Sequence, residues 1–491
     1  MNFGADILID YVTTLSKHRF CLPQSLLGKF GFKAVVFAVL VDILQIDSHF
    51  GMILVAKIQT ICRFFGIFAK VKNKTQMKHQ IFSFALLFCA FLAQTQAQVF
   101  KMGNEPNNRT KAQEPAHWVM PQLAFIDKAH YVSAAMQMDD YLPLLQGKRI
   151  GIVGNQTSIV GETHLVDTLL SLGVDVRKIY TPEHGFRGTA DAGAKVNSGK
   201  DEKTGLPIVS LYGKNKKPTP EMLQGIDLIL FDLQDVGVRF YTYISTMTYV
   251  MEAAAENNIP VIVLDRPNPN GFFVDGPVLK AENQSFVGMH QVPVAYGMTI
   301  GEYAKMVNGE GWLKGGIRCD LTVIPINIYE RNAIYELPVR PSPNLPNWES
   351  VYLYPTLCFF EGTIVSMGRG TETPFQIYGH PDMRGAYTFT PKSTSGASKP
   401  LLEGQRCRGE NLVEFAHDYA HNANELHVDW IIEAYQQLKE KGFFNNYFVK
   451  LAGDTQLQRD IENGKSADEI RALWKKDLDA FREIRAKYLM Y

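Results

Sequence analysis

The stretch Tyr180-Thr181-Pro182-Glu183-His184-Gly185-Phe186-Arg187-Gly188 sets a carboxylate, an imidazole and a guanidinium between a proline and two glycines. Pro182 cannot donate to a sheet ladder, and glycine accepts backbone conformations that a side chain resists, so the polar trio belongs to a loop. Val174, Val176 and Ile179 just before it make an apolar, β-prone run. A carboxyl group between Tyr180 and Phe186 suits proton transfer, because partial burial favours the protonated form. Glu183 is therefore the first catalytic candidate. The competing reading is an ion pair with Arg187. His184 either orients a carboxylate or sugar or simply hydrogen-bonds within its loop.

Further stretches carry related chemistry. Asp232-Leu233-Gln234-Asp235-Val236-Gly237-Val238-Arg239-Phe240-Tyr241-Thr242-Tyr243 offers two carboxylates beside an arginine and aromatic rings, and Asp265-Arg266-Pro267-Asn268-Pro269-Asn270-Gly271 offers a third. A pair of carboxylates suits general acid–base work or glycosyl transfer, where one group holds a proton and the other stays ionised. The structural alternatives are an ion pair to Arg239 and a turn lock at Asp265. Downstream, Glu361 precedes Gly368-Arg369-Gly370-Thr371. That segment resembles an anion cradle without the glycine spacing of a nucleotide loop, so a carboxylate or acidic sugar is the better guest. His290 and His380 stand apart without metal-type spacing, and no Gly-x-Ser-x-Gly elbow is present. Zinc chemistry and a serine nucleophile are disfavoured.

The elements that must position these residues follow from periodicity. Residues 149–153, 174–180, 226–231 and 259–264 read as strands, and residues 164–172 and 246–257 between them as helices. Strand–helix–strand in this rhythm predicts an α/β fold with a doubly wound parallel sheet. Asn155, Glu183, Asp232 with Asp235, and Asp265 each fall at or just after a strand's carboxyl end. Such ends share one edge of the sheet, and ligands bind there. The pattern changes near residues 297–302, which sets a boundary between a domain of residues 121–298 and one of residues 299–491.

Composition narrows the function classes. The 491 residues include 50 basic and 50 acidic side chains, so no electrostatic footprint for nucleic acid or an anionic membrane is present. Residues 77–97 have a basic start at Lys78, an apolar run over residues 81–93 and a small residue at Ala97, which predicts a secretory signal cleaved after Ala97. The run is too short to span a bilayer comfortably, so the mature chain is expected to make no stable membrane insertion. On this reading Met77 is the start, residues 1–76 are an upstream extension and residues 98–120 a flexible lead-in; a membrane-associated leader is the alternative. Cys319, Cys358 and Cys407, the cysteines of the mature chain, show neither a disulfide framework nor a metal pattern and read as buried thiols.

The motifs around Glu183, Asp232 to Tyr243, Leu264 to Pro269 and Gly368 to Thr371, in this order, resemble the exo-β-N-acetylmuramidase family, formerly a domain of unknown function. The resemblance covers about residues 150–491. It implies a Rossmann-like domain joined to a smaller α+β domain with the site in the cleft between them. It also implies removal of N-acetylmuramic acid from the non-reducing end of peptidoglycan fragments without a cofactor. The family's proposed catalytic glutamate matches Glu183. The expected assignment makes Glu183 the general acid, with His184, Asp235 or Asp191 assisting or positioning water or sugar. Arg369 would read the lactyl carboxylate, with Arg239 second, since a planar donor fork suits a carboxylate. Asn155, Arg187, Tyr241, Tyr243, Asp265, Asn268 and Glu361 complete the expected substrate contacts. The expected partners are muropeptides or disaccharides in the periplasm or outside the cell. A glycan-binding protein without catalysis, and an esterase or deacetylase, are the other classes.

Overall fold

The computed structural model describes residues 123–183, 185–187, 199–420 and 425–491. The expected extension, signal and lead-in, together with His184 and Asp191, lie outside these residues. Seven strands form the main sheet: β1 (Ile150–Gly154), β2 (Val176–Thr181), β3 (Gly199–Lys200), β4 (Pro207–Ser210), β5 (Leu228–Asp232), β6 (Val261–Leu264) and β7 (Leu321–Ile324). Their order is β7-β6-β5-β1-β2-β4-β3. Neighbours are parallel throughout, except that β3 pairs antiparallel with β4 at the edge. The chain winds outward from β1 through β2 and β4, then returns to β5 on the other side of β1. That reversal is the topological switch point of a doubly wound sheet, and its crevice lies outside the carboxyl ends of β1 and β5.

Alternation along the strands explains why both faces are covered. Ile229 and Phe231 of β5, with Val261 and Val263 of β6, join one core, whereas Leu228, Leu230, Ile262 and Leu264 join the other. Successive side chains of a strand point to opposite faces, so a run that is apolar throughout must be buried on both. Helix α1 (Leu165–Ser171) closes the second face through Leu165, Val166 and Leu169. Helices α2 (Tyr243–Glu256) and α3 (Ile300–Gly309) close the first. Thr299 and Glu302 form a reciprocal capping box that fixes where α3 begins.

The sheet takes its edge strand β7 from beyond residue 299, so the parallel layer continues past the boundary expected from sequence. A smaller antiparallel sheet follows, made of β8 (Ile377–His380), β9 (Tyr387–Phe389) and β10 (Cys407–Asn411) in the order β8-β10-β9. Helices α4 (Trp348–Leu357), α5 (Asn446–Ala452) and α6 (Ala467–Ala486) belong to this half. Cys319, Cys358 and Cys407 are buried free thiols. No helix among the described residues is long and apolar enough to cross a membrane.

Candidate active site

Parallel register brings the predicted polar residues to one edge. Gly154 at the end of β1 lies opposite Asp232 at the end of β5, and Val153 lies opposite Tyr180 of β2. Asn155, Thr181, Glu183 and Asp235 therefore follow from adjacent carboxyl ends. The acids at this edge then separate into two groups according to what they already hold.

Asp232 and Asp265 serve the fold. Asp232 accepts from Arg266 Nε at 2.6 Å and Nη2 at 2.9 Å, and both residues are buried. Its expected partner Arg239 is elsewhere. Asp265 accepts from the Thr299 hydroxyl, the Gly301 N–H and the Tyr491 hydroxyl, each at 2.7 Å. It anchors the start of α3 and the carboxyl-terminal residue together, which is more than a turn lock. Asn268 donates to the Met298 carbonyl at 2.8 Å. Its carboxamide also fills the space where a side chain on Gly237 would lie, and Gly237 has φ of 74°, so that position requires glycine.

The expected arginines differ sharply. Arg239 is buried and donates to four backbone carbonyls, those of Pro277, Val292, Leu451 and Ala452, at 2.6–2.9 Å. Burial lowers its pKa to about 9. It ties the loop after β6 to α5, so its fork is occupied by the chain itself rather than open to a substrate. Arg187 pairs with Asp201 at 2.8 Å and Asp167 at 3.6 Å, not with Glu183, and stands over the Phe186 ring. Arg369 is half-buried over Phe375 and donates Nε and Nη2 to a single oxygen of Glu361 at 3.1 and 2.6 Å. Its Nη1 makes no hydrogen bond among the described residues, so part of the fork remains open.

Glu183 is half-buried past the end of β2, and its Oε1 accepts the Tyr212 hydroxyl at 3.2 Å. Burial, reinforced by the Glu183 charge, pushes the Tyr212 hydroxyl up to about 12. The same charge acts on Tyr243 and on Tyr447, whose hydroxyls are raised chiefly by burial. Of these three phenols, that of Tyr212 touches the Glu183 carboxylate. Tyr243 in turn accepts from Asn155 Nδ2 at 2.8 Å, and Asn155 is locked by the Thr157 N–H and hydroxyl at 2.9 and 2.6 Å. Tyr241 packs edge-on against Tyr243 and donates to the Pro341 carbonyl at 2.7 Å. Tyr447, from α5, also feels the charge of Glu361. Tyr212 and Tyr447 were not among the residues expected from sequence. Neither sits in a motif, and only the fold brings Tyr212 to Glu183.

Asp235, also at this edge, has unfilled capacity of its own. Its Oδ2 accepts the Gly237 N–H at 2.7 Å and the Tyr296 hydroxyl, while Oδ1 is buried without a partner. Thr181 Oγ1 and Gln156 Oε1 at the same edge are likewise buried without partners. Buried polar atoms are otherwise almost always satisfied, so such a group marks a place where a polar ligand fits.

Burial lifts both Asp235 and Asp265 from 3.8 to about 6. Between those values the folded chain holds protons that the unfolded chain has released, so stability falls as pH rises through the window. The urea midpoint should therefore drop between about pH 4 and pH 6, and less steeply in Asp235→Asn. Equal slopes in the two proteins would contradict the burial of an uncompensated Asp235 charge.

Comparison with known proteins places this geometry. The model of the N-terminal domain of exo-β-N-acetylmuramidase NamZ matches residues 150–349, and the model of its C-terminal domain matches residues 352–491. The chain belongs to the exo-β-N-acetylmuramidase NamZ family. The peptidoglycan β-N-acetylmuramidase NamZ of Bacillus subtilis (strain 168) is 40% identical over 382 residues, which is 72% of this chain and 89% of that protein. A crystal structure of a DUF1343 family protein from Bacteroides fragilis NCTC 9343 is similar at TM-score 0.69 and 45% identity, covering 73% of this chain and 98% of that one. A second DUF1343 structure from the same organism gives TM-score 0.64 at 29% identity, with the same coverage. The NamZ N-terminal match contains Asn155, Glu183, Tyr212, Asp235 and Tyr243. The NamZ C-terminal match contains Glu361, Arg369 and Tyr447.

Proposed function

We propose that this chain is an exported exo-β-N-acetylmuramidase that releases N-acetylmuramic acid from the non-reducing end of peptidoglycan fragments. The observation that carries the reading is Glu183: a half-buried carboxylate at the sheet's carboxyl edge, hydrogen-bonded to Tyr212. Glu183 in its protonated form gives its proton to the glycosidic oxygen as the bond to the anomeric carbon breaks, and positive charge spreads onto the ring oxygen. The Tyr212 hydroxyl holds the carboxylate that remains. Asp235 Oδ1 is the acceptor that aligns water or a sugar N–H or O–H, because it is the buried carboxylate oxygen at this edge with no partner. Export follows from the signal pattern of residues 77–97, and the exported protein should begin at Gln98 when its amino terminus is sequenced.

Arg369 reads the lactyl carboxylate through its open Nη1, with Glu361 holding the fork in place. Arg369→Met should raise KM for a muramide about tenfold or more and leave KM for the matching glucosaminide unchanged, because a hydrogen bond to a charged group is worth about 1.5–3 kcal/mol. Equal effects on both substrates would remove Arg369 from this role. The exo mode is tested by following digestion of a glycan fragment labelled at its reducing end. Free N-acetylmuramic acid appearing from the first time point is the expected result; internal fragments appearing first would show an endo-acting enzyme.

A further inference from the structure

A cavity of about 490 Å³ opens between the loop that follows β6 and helix α6, and its lining includes none of Asn155, Glu183 and Asp235. Four arginines line it: Arg331, and Arg471, Arg482 and Arg485 of α6. Guanidinium groups repel one another, so a cluster of this kind needs either nearby carboxylates or an anion that completes it. The carboxylates present do only part of this. Arg331 is held by Glu302 at 2.5 Å. Arg482 pairs with Asp479 at 3.0 Å, and Arg471 with Asp429 and Asp468 at 3.4 and 3.2 Å, but these three acids are 47%, 58% and 97% exposed. Water and salt screen such pairs to little net strength. Glu425 adds a further contact to Arg471 at 3.2 Å. Asp275, also in the lining, is engaged by the Leu426 N–H at 2.8 Å.

Arg471 and Arg485 each keep a donor that this accounting does not engage. Arg471 Nε is buried and has no partner. Arg485 has no carboxylate within ion-pair distance among the described residues; its Nε and Nη2 both rest on the Gly297 carbonyl at 3.1 and 2.6 Å, which leaves Nη1. Burial, together with the charge of Arg331, brings the Arg485 guanidinium down to about 10, the direction expected where positive charge is short of compensation. Phe272 and Phe273 supply an apolar wall. A concave site with an apolar wall and convergent donors of one sign fits a small ligand with an anionic group. Planar guanidinium forks match the two or three oxygens of a carboxylate or phosphate.

We propose that this cavity is an accessory oxyanion-binding site, taking a carboxylate or phosphate group carried by a small molecule or a chain end. Its lining shares no residue with the hydrolytic edge, and it does not depend on the glycosidase reading. Calorimetric titration of the purified protein with citrate and with inorganic phosphate tests it, alongside Arg482→Met, Arg485→Met and Glu183→Gln. The expected result is saturable one-to-one binding of at least one probe, weakened at least tenfold in both arginine variants and unchanged in Glu183→Gln. Binding of citrate alone assigns a carboxylate ligand, and binding of phosphate alone a phosphate ligand. Arg482 is 48% exposed, so its variant reports on the site even where Arg485→Met lowers the melting temperature. Neither probe binding saturably, or binding that Arg482→Met leaves unchanged, overturns the proposal.

Discussion

Glu183→Gln is expected to lower kcat on a muramide by about a thousandfold while leaving KM and the urea midpoint close to those of the unaltered protein. General acid catalysis contributes about a hundred- to ten-thousandfold to rate, and glutamine keeps the shape of glutamate without a proton to give. Its side-chain oxygen still accepts the Tyr212 hydroxyl, which lies 3.2 Å from Glu183 Oε1, so the loop keeps its tie to β4 and the fold is not disturbed. An effect confined to kcat identifies a group acting in the transition state rather than in binding. A kcat within about tenfold of the unaltered value would be too small for the general acid and would move that role to another group. Asp235 would then be the next residue to test, as the buried acid at the same edge with an unfilled oxygen.

The largest stability effect is expected at the Asp232–Arg266 pair. Both side chains are buried, and the pair closes through two hydrogen bonds of 2.6 and 2.9 Å. Asp232→Leu leaves the Arg266 guanidinium buried without its counter-charge, which should cost about 3–5 kcal/mol in urea denaturation. The double variant Asp232→Leu/Arg266→Met should recover most of that loss, because it removes the uncompensated charge as well as the pair. A single variant that costs less than about 1 kcal/mol would mean that water or Tyr131, which lies 3.3 Å from Arg266 Nη1, compensates the guanidinium. The pair matters for function through position. It fixes the end of β5 against the loop after β6, and Asp235 follows three residues later.

The parallel core was legible because its strands are apolar on both faces and end in polar turns. Periodicity located β1, β2, β5 and β6 within a few residues and placed Asn155, Glu183, Asp235 and Asp265 at one edge. Partner choice was not legible. Arg187 lies next to the Glu183 loop in sequence yet pairs with Asp201 and Asp167, and Asp232 pairs with Arg266 because β5 and β6 are neighbours in the sheet. The addition of residues 321–324 to β6 depends on tertiary pairing, and no change in composition marks where the sheet ends. Short strands such as β9, at three residues, carry too little pattern to be found. Tyr212 could not have been chosen from among the chain's 21 tyrosines without the fold that brings it to Glu183.

The central claim is hydrolysis of a β-linked muramic acid, tested most directly by incubating the purified protein with para-nitrophenyl N-acetyl-β-muramic acid beside the matching N-acetylglucosaminide. The account predicts release of para-nitrophenol from the first and not from the second, which would establish both the activity and the reading of the lactyl group. Release from the glucosaminide alone, or from neither while muropeptides still bind, would contradict it.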